Sequence, residues 1–499
     1  MSQTATSTTI LTAPVEPSND LTLDPQDWPA FRRLAHRTLD RVLDQQQNAT
    51  QGPTWQPMPT TSRDFLTGAA PQDGVGSEQT VEEMLQHVAP YPSGNIHPRF
   101  WGWVCGTGTP TGVLAELIVA GMNSGAGTFN DATTRVEEQV LGWMRDLFEF
   151  PSGASGVLTS GGSVANLIGL AVGRDAVLGD EVRRLGLAGG EGRPVFYASR
   201  QVHSSVDKAA MLLGLGSESL QKIEVDDEHR ISIPALEAQI EVDRNAGRRP
   251  FAIVANAGTV NIGAVDDLEA LAEIAEHHGL WLHVDGAIGA VAMMAPSLKP
   301  LLKGIEKADS IAFDFHKWLY VPYEAGCVLV RDGEAHRQSF TVAASYLTPP
   351  ERGVGAETDP ANIRGPQLSR GFKALKVWAQ IREHGLDGLG RLMEQNVEHV
   401  RHLRRLIDQE PELELLAHGS LNILCFRYRP PGASEELCNR LNRELLMRIQ
   451  EEGIAVPSST VLDGRFAIRV ANSNQRTRRS DFDLLVRECV RLGREIAGS

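Results

Sequence analysis

One lysine in this chain stands where lysines seldom do. Ser310-Ile311-Ala312-Phe313 reads as a buried strand, and Asp314-Phe315-His316-Lys317 closes it. Lysine is ordinarily a solvated surface residue, so its place at the end of an apolar run needs a chemical reason. Capture of an aldehyde is one: a desolvated lysine has a lowered pKa and a nucleophilic amine, which a Schiff base requires. A second apolar run, Trp281-Leu282-His283-Val284, ends on Asp285 and continues Gly286-Ala287. A buried carboxylate keeps a pyridine nitrogen protonated and makes the ring an electron sink. Lysine and carboxylate at the ends of neighbouring strands point to pyridoxal 5'-phosphate.

Three more stretches fit that cofactor. Leu158-Thr159-Ser160-Gly161-Gly162-Ser163-Val164-Ala165-Asn166 reads as a strand-end loop opening a helix. Its glycines let backbone N–H groups approach an anion, and Ser163 adds a hydroxyl at the helix N-terminus. An ordinary helix cap reads the same way, and the absence of a Gly-Lys dipeptide excludes a nucleotide P-loop. His203 follows the strand Val195–Ala198, in Gln201-Val202-His203-Ser204-Ser205. Alone it is a structural histidine; at the carboxyl edge of the same sheet it can stack on a planar ring. In Ala257-Gly258-Thr259-Val260, Thr259 offers a hydroxyl or simply makes a turn. His283 and Asp285 share a strand face, as two metal ligands would, but no third ligand has suggestive spacing, so no metal is expected.

The elements that must position these residues are legible in outline. A first helix is expected from Pro25 toward Gln47, with Trp28, Phe31, Leu34, Ala35, Leu39 and Val42 on one face. Residues 48–77, rich in Pro, Gly, Thr and Gln, read as an extended linker. From 95 to 375 short apolar runs alternate with helical stretches such as Ile233–Arg244 and Leu268–His278, the mark of βαβ units around a mostly parallel sheet. Gly326-Cys327-Val328-Leu329-Val330 follows Lys317 too closely for a helical crossover and is expected to run antiparallel. Residues 376–499 read as a small α+β domain: a long helix, strands near Asn422–Tyr428 and Phe466–Val470, and helix Glu435–Glu451. The expected divisions are a disordered tail at 1–20, a helical arm at 21–94, a large domain at 95–375 and a small one at 376–499.

Composition narrows the class. A chain of 499 residues is too long for one ordinary core. A formal charge of −15 argues against a nucleic-acid partner. Five scattered cysteines without metal spacing suit free thiols in the cytoplasm. No apolar run reaches the roughly 18 residues that span a bilayer, and no secretory signal is read, so no membrane partner is expected.

In order along the chain stand Asn95-Ile96-His97-Pro98-Arg99-Phe100, the Ser160–Asn166 loop, Val202-His203-Ser204-Ser205-Val206-Asp207-Lys208-Ala209, His283-Val284-Asp285-Gly286-Ala287, His316-Lys317-Trp318 and Ser369-Arg370-Gly371-Phe372-Lys373-Ala374-Leu375-Lys376-Val377-Trp378. Together they resemble the group II pyridoxal-phosphate amino-acid decarboxylases, of which aromatic-L-amino-acid decarboxylase is the best-known member. The resemblance implies an α/β fold of the aspartate-aminotransferase type (fold type I), with a mostly parallel seven-stranded sheet, an N-terminal arm and a small C-terminal domain. It also implies a homodimer with active sites at the subunit interface. Lys317 would carry the cofactor as a Schiff base, His203 would stack on the ring and Asp285 would pair with the pyridinium. Ala287 would pack beneath the ring, Gly162 and Ser163 would take the phosphate, and His316 would sit beside the lysine, near the substrate carboxylate or the phosphate. Thr259 stands as a further candidate contact. The implied reaction is decarboxylation of an L-amino acid, aromatic substrates among the candidates, to an amine and CO₂.

Three departures bear on the chemistry. The tyrosine that the family's decarboxylases carry on a mobile loop matches Pro360 here, and Leu347 to Arg370 contains no tyrosine; Tyr346 lies just outside. Proline has no proton to give to Cα, which makes oxidative deamination to an aldehyde the alternative. The pocket wall after His97-Pro98 reads Phe100-Trp101-Gly102-Trp103-Val104-Cys105, with Trp101 and Trp103 as the expected substrate contacts, and Thr128-Phe129-Asn130-Asp131 matches a partner-subunit wall. Asp314 replaces an amide common in aromatic decarboxylases. Another pyridoxal-phosphate carbon–carbon lyase, a cofactor-binding protein without turnover and a doubly wound nucleotide binder are the remaining alternatives.

Overall fold

A strand covered on both faces must be apolar along its whole length, and Val195-Phe196-Tyr197-Ala198 is such a run. In the computed structural model Val195 and Tyr197 join the core on one side of the sheet, while Phe196 and Ala198 join the core on the other. The structure describes residues 21–127, 129–187, 192–342, 351–356 and 364–498. The expected tail at 1–20, Thr128, Tyr346 and Pro360 lie outside the described residues.

The strands in chain order are β1 (Phe100–Trp101), β2 (Ser155–Thr159), β3 (Pro194–Ser199), β4 (Leu220–Ile223), β5 (Arg249–Asn256), β6 (Trp281–Asp285), β7 (Ser310–Asp314), β8 (Gly326–Val330), β9 (Leu413–His418), β10 (Ile423–Tyr428), β11 (Val456–Leu462) and β12 (Arg465–Ala471). Seven form the large sheet in the order β2-β8-β7-β6-β5-β3-β4. β8 alone runs antiparallel, to both β2 and β7, as its short connection required. The mostly parallel α/β sheet expected from the sequence is therefore present, with helices such as Gly162–Leu178 and Leu268–His278 on its faces.

The small sheet has the order β1-β11-β12-β10-β9. Its first strand comes from the segment assigned to the large domain: Phe100 and Trp101 pair in parallel with Val456 and Pro457. A boundary at residue 95 thus misplaces this strand, which crosses to the small domain's sheet.

The arm also differs in detail. Its first helix begins at Trp28, not Pro25, because the Asp27 carboxylate accepts the Ala30 N–H (2.9 Å) and Pro29 occupies the first turn. The stretch read as an extended linker contains a helix, Thr60–Leu66, and a further helix spans Ser77–His87. The long helix Ala374–Gln409 breaks its φ/ψ at Gly385.

Candidate active site

Lys317, Asp285, His203, the Gly161-Gly162-Ser163 loop, Thr259 and His316 lie at or just beyond strand ends on one edge of the large sheet. Asp285 is the last residue of β6 and Asp314 the last of β7; Lys317 lies in the turn beyond it. The Ser160-Gly161-Gly162 loop follows β2, and His203 caps the helix Ser204–Leu212 that follows β3. Ligands of open α/β sheets bind at this carboxyl edge because the connecting loops leave a crevice there.

Lys317 is paired. Its Nζ lies 2.7 Å from Oδ2 of Asp314, which is buried. Burial pulls the ammonium down, but the carboxylates of Asp314 and, beyond it, Asp285 outweigh this and hold it above the ordinary lysine range. The lowered pKa expected from desolvation alone is therefore corrected: the counter-ion wins.

Asp285 is fixed by a directed network. Asn166 Nδ2 donates to Asp285 Oδ2 (2.9 Å) and to Ser205 Oγ (2.9 Å), and the Ala287 N–H reaches Asp285 Oδ1 (3.2 Å). Asn166 Oδ1 lies 2.9 Å from His283 Nε2, and Ser310 Oγ lies 2.8 Å from His283 Nδ1. Trp281 Nε1 donates to that same hydroxyl (2.8 Å), so the Ser310 proton is free to go to Nδ1 and His283 carries its own proton on Nε2. Burial lowers His283 from 6.5 to about 4, which keeps the ring neutral. Both of its nitrogens are occupied, which removes it as a metal ligand. Among the described residues no group of three or more His, Cys, Asp or Glu is arranged to hold a metal.

The same network reaches His203. The backbone N–H of Ser205 donates to His203 Nδ1 (3.2 Å) and the Ser205 hydroxyl lies 2.8 Å from it, so Nδ1 accepts and the proton sits on Nε2. Burial lowers its pKa against the opposing pull of Asp285. His316 is anchored through Nδ1 on the Ala325 backbone, 2.9 Å from its oxygen and 3.1 Å from its nitrogen, and burial lowers it too.

Two adjoining cavities meet at Lys317, Asp285, Ala287 and His203. One, of about 350 Å³, is lined by Gly161, Gly162, Ser163, His316 and Asp314. The other, of about 340 Å³, is lined by Trp103, Val104, Ile288, Ser458 and Arg469. The helix Gly162–Leu178 has no side-chain cap at its N-terminus, leaving backbone donors for an anion beside the first cavity. A glycine-lined helix start, a lysine, a hydrogen-bonded carboxylate and a neutral histidine around one continuous space fit pyridoxal phosphate. A larger cleft of about 710 Å³, lined by Asp227–Arg230, Ala264–Glu269 and Leu415–Ser420, gathers none of these residues.

Two expected contacts are placed elsewhere. Trp101 is wholly buried in the small domain's core, stacked on Phe482 at 4.6 Å with Nε1 donating to Thr477 Oγ1 (3.1 Å). Its strand pairing with β11 explains this. Thr259 is buried, and its hydroxyl accepts the Ala264 N–H (3.1 Å) within its own turn. Trp103 does line the second cavity. Arg469 was not singled out from the sequence: nearly buried, it donates to the carbonyls of Asn261, Trp103 and Val260 and to Ser458 Oγ. Burial lowers it to about 10, still charged near neutrality. Its only sequence signal was an arginine inside an apolar strand, Phe466-Ala467-Ile468-Arg469-Val470.

Residues 59–429 match the model of the pyridoxal-dependent decarboxylase conserved domain. The chain belongs to that family. It is 31% identical over 476 residues to the aromatic-L-amino-acid decarboxylase of Bacillus atrophaeus, covering 94% of this chain and 96% of that one. Oryza sativa TDC, solved with PLP and tryptamine, superposes with a TM-score of 0.86 at 26% identity over 95% of this chain and all of that one. The 4-hydroxyphenylacetaldehyde synthase of Rhodiola rosea superposes with a TM-score of 0.82 at 26% identity, over 95% of this chain and 99% of that one. Family membership makes the chain a pyridoxal-phosphate-dependent carboxy-lyase acting on amino acids.

Proposed function

We propose that this enzyme converts an aromatic L-amino acid to its amine and CO₂, as a cytoplasmic homodimer. The observation that carries the reading is the convergence of Lys317, Asp285, His203 and the Gly161-Gly162-Ser163 loop on one space. When bound, pyridoxal phosphate supplies the electron sink that lets a carboxylate leave as CO₂. Lys317 would hold the cofactor's aldehyde carbon, and Gly162 with Ser163 would bind its phosphate. Asp285, held by Asn166 and the Ala287 N–H, would pair with the ring nitrogen. His203, fixed through Ser205, and Ala287 would pack against the ring. Trp103, Val104 and Ile288 give the second cavity an apolar wall that favours an aromatic side chain. Arg469 places a positive charge there, which draws in the carboxylate of the substrate.

Dimerisation is supported by surface that one chain leaves uncovered: Leu114, Leu117, Ile118 and Met122 are all exposed on the helix Pro110–Met122. Among the described residues no helix is long and apolar enough to cross a membrane.

The test is to incubate the loaded enzyme with phenylalanine, tyrosine, tryptophan and acidic amino acids, measuring CO₂, amine and peroxide together. Equal CO₂ and amine from an aromatic substrate, with little from glutamate or aspartate, is expected. No CO₂ from any aromatic amino acid would overturn the reading.

A second reading rests on Pro360, which stands where the family's loop tyrosine is matched. Without that proton donor the alternative consumes dioxygen and water and yields aldehyde, CO₂, ammonia and hydrogen peroxide. Peroxide formed in step with CO₂, and no amine, would select it.

A further inference from the structure

We propose that Asp314 is the counter-ion and proton acceptor of Lys317, a positioning residue that sets the pH at which the lysine amine becomes available to an aldehyde. The inference rests on Lys317 as the cofactor-bearing residue and asks what controls its proton.

Three observations carry it. Asp314 is 1% exposed, and its Oδ2 lies 2.7 Å from Lys317 Nζ, a direct path for a proton. Its other oxygen, Oδ1, is buried with no hydrogen-bond partner. The carboxylate also forms the floor of the glycine cradle. A Cβ on Gly162 would stand 3.0 Å from Oδ2, and one on Gly326 would stand 2.6 Å from Oδ1. A buried carboxylate with an orphan oxygen at the start of an anion-binding helix is an unfavourable arrangement unless it serves two states of the site.

In the first state Lys317 is an ammonium and Asp314 a carboxylate, each neutralising the other. In the second, one Nζ–H bond breaks and one Oδ2–H bond forms, giving an amine and a carboxylic acid. Net charge is unchanged and nothing is oxidised or reduced. The amine is then free to condense with an aldehyde. The acid, now neutral, no longer repels an anion held by Gly162 and Ser163, and it can donate a hydrogen bond to one. An asparagine could also donate to an anion, but it takes no proton from the lysine and gives the ammonium no counter-charge.

The groups facing this pair are few. Asp285 on β6 and Cys105 beyond β1 act on Lys317, and His203 senses both partners. His316 Nδ1 stands 3.8 Å from Asp314 Oδ1, with its ring kept neutral by burial and Lys376 acting on it from the long helix. Tyr323 and Cys327, on the turn and on β8, are both held protonated by burial. Asp314 is the only carboxylate within ion-pair distance of Lys317 among the described residues.

The experiment follows visible absorbance after pyridoxal, which lacks the phosphate, is added to cofactor-stripped full-length protein across the neutral and alkaline range. In Asp314→Asn the midpoint of the rate–pH profile should lie about 1–3 pH units below wild type, because burial then acts on the lysine with the Asp314 counter-charge gone and only the more distant Asp285 and Cys105 opposing it. Asp314→Ser should shift in the same direction and serves if the amide variant does not fold. Pyridoxal phosphate should bind Asp314→Asn more tightly than wild type at alkaline pH. Profiles that superimpose in folded variants would overturn the proposal while leaving Lys317 as cofactor carrier. No absorbance change in wild type, matching Lys317→Ala, would instead remove Lys317 from its role and the proposal with it.

Discussion

Asn166 commits both ends of its amide: the carbonyl to His283, the amino group to Asp285 and Ser205. His283 holds this fork by donating from Nε2, and a second proton, at Nδ1, would reverse the Ser310 hydrogen bond and place a charge on a wholly buried ring. That sets a pH dependence with a definite sign. His283 has a folded-state pKa of about 4 against 6.5 when free, so between these values the unfolded chain binds more protons. Stability from this residue is complete above pH 6.5 and is lost as pH falls toward 4. At pH 5 the loss is about 2 kcal/mol relative to neutrality. His283→Gln, which keeps a donor and an acceptor but cannot titrate, should flatten that part of the curve, as chemical denaturation at the two pH values would measure. An equal acid sensitivity in the variant would show that the fold does not depress the His283 pKa. Lys317, Asp285 and His203 were legible in the sequence because each stands just after an apolar strand. Asn166, Ser205 and Ser310 were not, because their roles depend on register: His283 and Ser310 are cross-strand partners on β6 and β7. No spacing within one strand reveals a pairing between two.

The helix Gly162–Leu178 reaches this network by lying unusually close to the sheet. A Cβ on Gly169 would stand 2.5 Å from the His283 ring, and one on Gly173 would stand 2.6 Å from the Trp281 indole. Small residues on one face thus let the helix backbone approach β6, which puts Asn166 within reach of Asp285. Gly169→Ala should cost about 1–3 kcal/mol through overpacking and weaken cofactor binding by displacing His283. Gly142→Ala, on the helix Ala132–Leu147 with open space around it, is the control and should be neutral or slightly stabilising. Cofactor titration with denaturation of both variants checks this; equal behaviour would mean that the close approach is not what aligns the site. At this scale the central strands and most large helices were legible from apolar runs and caps. The helix Thr60–Leu66 was hidden in a Pro- and Thr-rich stretch, and β1 was too short, at two residues, to show any alternation. That short strand is also why Trp101 was expected in the pocket: one turn of chain decides whether an indole faces substrate or the small domain's core.

The two sheets are joined where the chemistry sits. Asn396, on the long helix, accepts from Trp318 Nε1 (3.0 Å) and Tyr320 Oη (2.6 Å) on the Lys317 turn, and donates to the Asn474 carbonyl (2.9 Å) in the small domain. Arg469 spans the same boundary from β12. The cavities are therefore walled by residues that follow the large sheet and by Ser458, Ser459 and Arg469 of the small one. Leu114, Leu117, Ile118 and Met122 fall at helical spacing on one face of Pro110–Met122 and are 43–58% exposed. A contiguous apolar stripe of this kind on a molecule of net charge −15 is a cost that burial against a second copy would remove. Ile118→Asp puts a carboxylate into the stripe that a second copy would bury and should weaken association by about 2 kcal/mol or more, over tenfold in the dissociation constant. Sedimentation across a dilution series reads the effect directly. Loss of activity on dilution, recovered on concentration, would tie the complete site to the assembled pair. A variant that sediments as wild type would leave the stripe without its proposed cover.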